Sequence, residues 1–411
     1  MTVWFGDIDG VYENGQSSAT YYTATFKKAT DISTAVVAGV DDVYDWTGSI
    51  IHPVPVVTVS GTTLTSSDYD VTYSEGCTNG GNYSVTINGK GNYIGTKVVN
   101  FTINPGYFVA GIGGVWNINR NYQLLRTDEL NKTEYWINDL VMSDGDAIKV
   151  VSSDDGSTIN NYYGGNENYK INANGSYKIY FRPGQNSDWS NNGSGGYFYV
   201  EKLTSTKVTL APAGYATYYN SANDVTLPEG VVAYILTSVA GTEPTYIKIA
   251  DAGESVAAAT AMLLYSADVK DNNQATEITL TLSAPSQSTP RRDDGNLLHG
   301  SDIKTTTTGG AKYYKLTYGS ASGHESVFGW YYGEDDGAAF TSPAHKAWLA
   351  LPATNARAFL SLPGDEATGI ATIENKHQNA DNVWYDLNGR RINAPMTKGI
   401  YVKDGRKMVI K

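Results

Sequence analysis

One cysteine, Cys77, stands among 411 residues, so no disulfide framework can form within the chain. It sits in Glu75-Gly76-Cys77-Thr78-Asn79-Gly80, which reads as a hairpin loop. Histidine is almost as sparse. His52, His299, His324, His345 and His377 are scattered, and none stands out as the base that a thiol nucleophile needs. No His-x-x-x-His or Cys-x-x-Cys spacing is present for zinc. Charged residues make up only 18%, the net charge is −12, and no basic stripe exists. That argues against binding a phosphate backbone, so no nucleic-acid partner is expected. No Gly-rich loop follows a strand and opens a helix, which argues against nucleotides. Asp7-Ile8-Asp9-Gly10 and Asp144-Gly145-Asp146 are too short for full calcium loops. No metal and no cofactor is expected. No apolar run is long enough to span a bilayer. The N-terminus lacks the basic-then-apolar order of a signal peptide.

A catalytic context is also missing. Glycoside hydrolysis needs two carboxyl groups at a fixed separation, one with a raised pKa. The candidates Asp144, Asp146, Asp154, Asp155, Glu334, Asp335 and Asp336 lie in turns beside glycine. Carboxylates there usually cap turns in contact with water. The chain is expected to be non-enzymatic.

What the chain has is glycine (43), tyrosine (31) and short period-2 stretches separated by turn signals. Such a pattern predicts an all-β chain of tandem β-sandwiches with a small C-terminal antiparallel sheet and almost no helix. Unit boundaries are expected near 34, 105, 204 and 373. Ser255 to Leu264, rich in alanine, reads as helix by propensity.

Several segments resemble known families. Val43-Tyr44-Asp45-Trp46-Thr47-Gly48, Tyr69-Asp70-Val71-Thr72-Tyr73 and Gly89-Lys90-Gly91-Asn92-Tyr93-Ile94-Gly95-Thr96 resemble the immunoglobulin-like repeats of bacterial surface proteins. Residues 34–104 are thus expected to form one such β-sandwich spacer, and 1–33 the remnant of a preceding repeat. Gly106-Tyr107-Phe108-Val109-Ala110-Gly111 with Trp116, then Gly145 to Gly156 and Tyr169 to Pro183, resemble starch-binding carbohydrate-binding modules over residues 105–203. The stretch from Trp116 to Tyr135 departs from that pattern. Residues 204–372 resemble a non-catalytic β-domain near the C-termini of secreted Bacteroidota proteins, which makes Ser255–Leu264 a strand and leaves the unit's role open. In residues 373–411, Tyr385-Asp386-Leu387-Asn388-Gly389-Arg390, Lys398-Gly399-Ile400-Tyr401 and Lys407-Met408-Val409-Ile410-Lys411 resemble the C-terminal sorting domain of type IX exported proteins. These likenesses imply part of a larger secreted or cell-surface protein.

The aromatic residues of 105–203 lie partly in Asn- and Gly-rich stretches. Such rings either cap the sandwich ends or stack on sugar rings, with nearby amides bonding hydroxyls. The expected glycan contacts are Trp116, Tyr162, Tyr163 and Trp189, with Lys149 and Asn186 as polar partners. Lys149 should point away from the core if Ile148 and Val150 point into it. The expected partner is a polysaccharide or a host or cell-surface glycan, an α-glucan first. The other reading is a structural or adhesion spacer that contacts a host or cell-surface protein.

Overall fold

The computed structural model describes residues 28–126, 134–190, 193–241, 243–308, 311–319 and 326–363, with the backbone of strands at 2–6, 21–25, 384–385, 391–392, 399–403 and 406–410. The fold is all-β. Among the described residues the one α-helix is Ala267–Asn272. Strands Thr2–Gly6 and Tyr21–Thr25 pair as an antiparallel ribbon.

The first sandwich packs two sheets, antiparallel except where Val43–Tyr44 pairs parallel with Thr96–Ile103. One orders Val43–Tyr44, Thr96–Ile103, Gly81–Gly89 and Tyr69–Tyr73. The other orders Val36–Ala38, Val56–Val59 and Thr62–Thr63. Alternation sets its core: Val85 and Ile87 on one strand, Phe101 and Ile103 on its partner, Val57 across from them. Ile32 is fully buried in the same core. Cys77 is buried too, its thiol donating to the Ser74 carbonyl at 3.1 Å.

The second unit is one continuous eight-stranded sheet. Its order is Asn161–Tyr163, Ala147–Ser153, Gly106–Ala110, Gln123–Arg126, Tyr135–Met142, Gly175–Phe181, Phe198–Lys202, with Tyr169–Lys170 also paired to Ala147–Ser153. The sheet folds over on itself. Tyr163 at one edge meets Phe181, five strands away, with ring centroids 5.0 Å apart. Tyr107, Val109, Leu124, Ile148, Val150, Ile179, Phe181 and Phe198 fill the inside.

Trp46 joins the first two units. Its indole lies among Gly48, Gly106 and Gly156, where an added Cβ on Gly156 would come within 2.3 Å of the ring. Phe108 meets it edge-on at 5.7 Å, and the Arg120 guanidinium lies 5.1 Å from its centroid. Beside it Arg126 clamps Asp45 through Nε–Oδ2 and Nη2–Oδ1, both 2.6 Å, and the Tyr135 hydroxyl donates to Asp45 at 3.0 Å. Burial raises the Asp45 carboxyl, but Arg126, Asn104 and Tyr135 outweigh it and hold it below the usual range. Burial, with the Asp45 charge next, pushes the Tyr135 phenol up to about 12.

The third unit stacks three sheets. The middle one orders Tyr215–Tyr218, Met262–Tyr265, Val232–Ala240 and Glu243–Ala250. One of its faces packs on the sheet containing Ser205–Leu210 and Thr276–Ser283 through Leu210, Ile235, Leu264 and Leu280. Its other face packs on the sheet containing Lys312–Tyr318, Phe328–Tyr332 and Lys346–Leu351 through Leu236, Leu263, Trp330 and Leu349. Burial on both faces explains the unbroken apolar run Ala261-Met262-Leu263-Leu264. Within Ser255–Leu264 the alanines form a turn between Ser255–Val256 and Met262–Tyr265, so β pairing overrides helix propensity there. The junction with the second unit is polar. A bulge between Ile137 and Leu140 holds Asp139 at φ 59°. Thr206 donates to its carboxylate at 2.6 Å, and His345 Nε2 lies 2.8 Å from its carbonyl. Asn220 donates to Ser176 at 2.8 Å.

The C-terminal strands form a four-stranded antiparallel sheet, ordered Arg391–Ile392, Trp384–Tyr385, Gly399–Lys403 and Arg406–Ile410.

Candidate functional site

The folded sheet of the second unit has an outer surface in two halves. On the first half Phe108, Ala110 and Val151 point out and are covered by the first sandwich. Trp116 and Tyr162 lie on this side. Tyr162 pairs with Val151 and is 56% exposed, and the two ring centroids are 6.4 Å apart, tilted by 51°. Trp116 is half-buried and packs against the junction core rather than projecting freely. Lys149 alternates away from Ile148 and Val150, and its ammonium donates to the Gly165 carbonyl at 2.7 Å. Tyr163, one residue along from Tyr162, points to the opposite face. It sits against Tyr107, Phe181 and Tyr197 and serves the core.

The second half is open. Cross-strand register places Leu125, Trp136, Tyr180 and Tyr199 side by side on four neighbouring strands. Their strand neighbours Leu124, Tyr135, Phe181 and Phe198 point inward and fill the core, so period 2 turns these four outward. Leu125 is 63% exposed and Tyr199 42%, Trp136 and Tyr180 are half-buried, and among the described residues none of the three rings packs into a core. The Tyr180 and Tyr199 centroids are 6.3 Å apart, tilted by 40°. From Trp136 to Tyr199 the row crosses two strand spacings, about 10 Å.

Polar groups border the row. Lys178 shares the outer face, and its ammonium lies 4.6 Å from the Trp136 centroid and 4.4 Å from that of Tyr180. The Tyr180 hydroxyl donates to Glu201 at 3.1 Å. At the strand ends Arg182 bridges to Glu134 at 2.7 Å, with its guanidinium 4.7 Å from the Trp189 centroid. Trp189 belongs to the short turn Ser187–Trp189. Asn186 caps that turn by accepting from the Asp188 N–H at 3.4 Å, so its carbonyl side is already engaged.

The six expected residues therefore divide. Trp116, Tyr162 and Lys149 lie on the covered half, Tyr163 is inside, and Trp189 with Asn186 lies beyond the end of the open row. Trp136, Tyr180 and Tyr199 are not among them; they lie within strands, outside the Asn- and Gly-rich stretches that single out the expected residues. The pairs Tyr135-Trp136, Tyr180-Phe181 and Phe198-Tyr199 carry the missing signal: of two adjacent aromatics in a strand, one faces out.

Among the described residues no cluster of three or more His, Cys, Asp or Glu could hold a metal ion, and no helix is long and apolar enough to cross a membrane. Compared with known proteins, the chain matches no family model, no curated protein and no solved structure.

Proposed function

We propose that the second unit binds a neutral glycan on its open half, in a non-catalytic segment of a secreted or surface protein. The observation that carries this reading is the in-register row Trp136–Tyr180–Tyr199. A pyranose offers an apolar C–H face ringed by hydroxyls, which suits rings bordered by charged donors and acceptors. A protein partner suits it less, since the centre of a protein interface is depleted in charge. Here Lys178, Glu201, Arg182 and Glu134 all lie beside the rings. Their charges balance, two positive and two negative, which favours an uncharged ligand.

Three stacked rings at about 1 kcal/mol each, with two hydroxyl hydrogen bonds at about 1 kcal/mol each, give a dissociation constant of about 0.1–1 mM. Affinity this weak makes repetition of such units in a larger protein useful, through avidity. An α-glucan is the first ligand to try. Trp189 extends the row past Arg182, and the Trp116–Tyr162 pair supplies a second, smaller contact.

The test is calorimetry of the full chain with maltooligosaccharides and a broad panel of neutral glycans, beside Trp136→Ala. Saturable binding is expected, weakened about tenfold in the variant by loss of one ring and its area, with an unchanged melting temperature. If no glycan binds the folded chain, or if the variant binds as well as the parent, the proposal fails and the spacer reading replaces it.

A further inference from the structure

The third unit contains a cleft of 650 Å³ where the strand Tyr215–Tyr218 of the middle sheet meets the outer sheet. Its size falls within the range of small-molecule sites. Leu316, Phe328 and Phe340 form apolar walls, and Tyr318 stands at its side, 4.8 Å from Phe328 in an edge-on contact. Two cations line it, Lys315 and Lys346. Lys315 is committed, its ammonium donating to the Gly333 carbonyl at 2.9 Å. Lys346 is different. It is half-buried, and no carboxylate or hydrogen-bond acceptor among the described residues holds its ammonium. Burial lowers its pKa, with no partner to offset the effect. The one carboxylate lining the cleft, Glu334, is exposed and pairs with neither lysine among the described residues.

The backbone on both sides of Lys346 is pinned. His345 has φ 56°, its N–H donates to the Ser301 carbonyl at 2.8 Å, and its ring lies within 3.0 Å of the Tyr219 carbonyl and 2.8 Å of that of Asp139. The Ala347 N–H donates to the Thr217 hydroxyl at 3.1 Å. An ammonium partly withdrawn from water and without a protein partner is less well solvated than in bulk, and the pinned backbone roots its stem on the cleft wall.

We propose that this cleft is a binding site for an amphipathic monoanion, with its carboxylate on Lys346 and an aliphatic or aromatic body against Phe328 and Phe340. An anion supplies the charge that the protein withholds, and the apolar walls accept the body. The site is independent of the glycan row, which lies on another unit.

The experiment uses the full chain and two named probes. Anilinonaphthalene sulfonate is titrated by fluorescence, then displaced with decanoate. One saturable, displaceable site is expected. Lys346→Met should weaken it by about tenfold or more, the value of a charged hydrogen bond, while the melting temperature stays level or rises. A lysine with a purely structural role would lower the melting temperature instead. Trp136→Ala should leave probe binding unchanged. A second reading needs no variant: decanoate should protect Lys346 from an amine-acetylating reagent, followed by peptide mass mapping. Non-saturable fluorescence, wild-type affinity in Lys346→Met, or equal acetylation with and without decanoate would each overturn the proposal.

Discussion

The two halves of the second unit's outer surface are built from the same material and end differently. Both carry aromatics that period 2 turns away from the core: Phe108 on one half, Trp136, Tyr180 and Tyr199 on the other. The covered half meets Trp46, whose indole fits where Gly106 and Gly156 leave out a side chain. Among the described residues no glycine slot or partner indole faces the open half, whose rings are bordered by Lys178, Glu201 and Arg182. An outward aromatic is therefore not a site in itself. What separates structural rings from available ones is whether the facing surface has been hollowed to receive them.

Trp46→Ala tests the covered half and should have the largest effect. The ring is 3% exposed and central to the junction core. Its loss should cost about 3 kcal/mol, the low end for a buried tryptophan, because its Nε1 has no hydrogen-bond partner to lose. Thermal melts should show the drop, and glycan affinity should not move. A variant that melts normally, or that loses glycan binding, would break the division between the halves.

The Asp45–Arg126 clamp at the same junction should give a smaller and pH-dependent effect. The folded Asp45 carboxyl titrates below its unfolded value of about 3.9. Its contribution is thus fully present above that value and disappears as pH falls through the lower folded one. Asp45→Asn should cost about 1 kcal/mol at neutral pH, the upper end for a partly exposed ion pair. The difference in melting temperature from wild type should shrink as the buffer is taken below about pH 4. A difference that stays constant from neutral pH into strong acid would remove the carboxylate from the account.

How much of this was legible in the sequence depends on the range of the interactions involved. Alternation in Tyr83 to Ile87 and in Val98 to Ile103 gives the strands of the first sandwich, because period 2 is local. Ser255 to Leu264 reads as helix by propensity and as strand by resemblance, and neither reading carries the fact that two different sheets cover Ala261 to Leu264. For the site, the side chains could be placed in or out only once their strands were identified, which is why Tyr163 and Tyr162 look alike in sequence and differ in space. The alignment of Trp136, Tyr180 and Tyr199 depends on the registers of three strands spread over some sixty residues, interrupted by the bulge at Asp139. No local pattern encodes that register. Lys346 gave no signal either, since its isolation depends on what the surrounding sheets fail to supply.

The smallest effect sharpens the open half. The Lys178 ammonium rests against Trp136 and Tyr180, so a sugar stacking on those rings either displaces it or recruits it. Displacement from these partly exposed rings costs about 0.5–1 kcal/mol. A hydrogen bond from an ammonium to a ligand hydroxyl contributes about 1.5–3 kcal/mol. The second figure is larger, and the flexible lysine stem can keep the ammonium near the row while its head turns to a hydroxyl. Lys178→Met should therefore weaken glycan binding by a few-fold, less than Trp136→Ala, with the melting temperature nearly unchanged because the residue lies outside the core. Calorimetry with the same oligosaccharide decides it. Tighter binding in Lys178→Met would make the lysine a cover over the rings, and the polar partners of the glycan would then have to be Glu201 and Arg182.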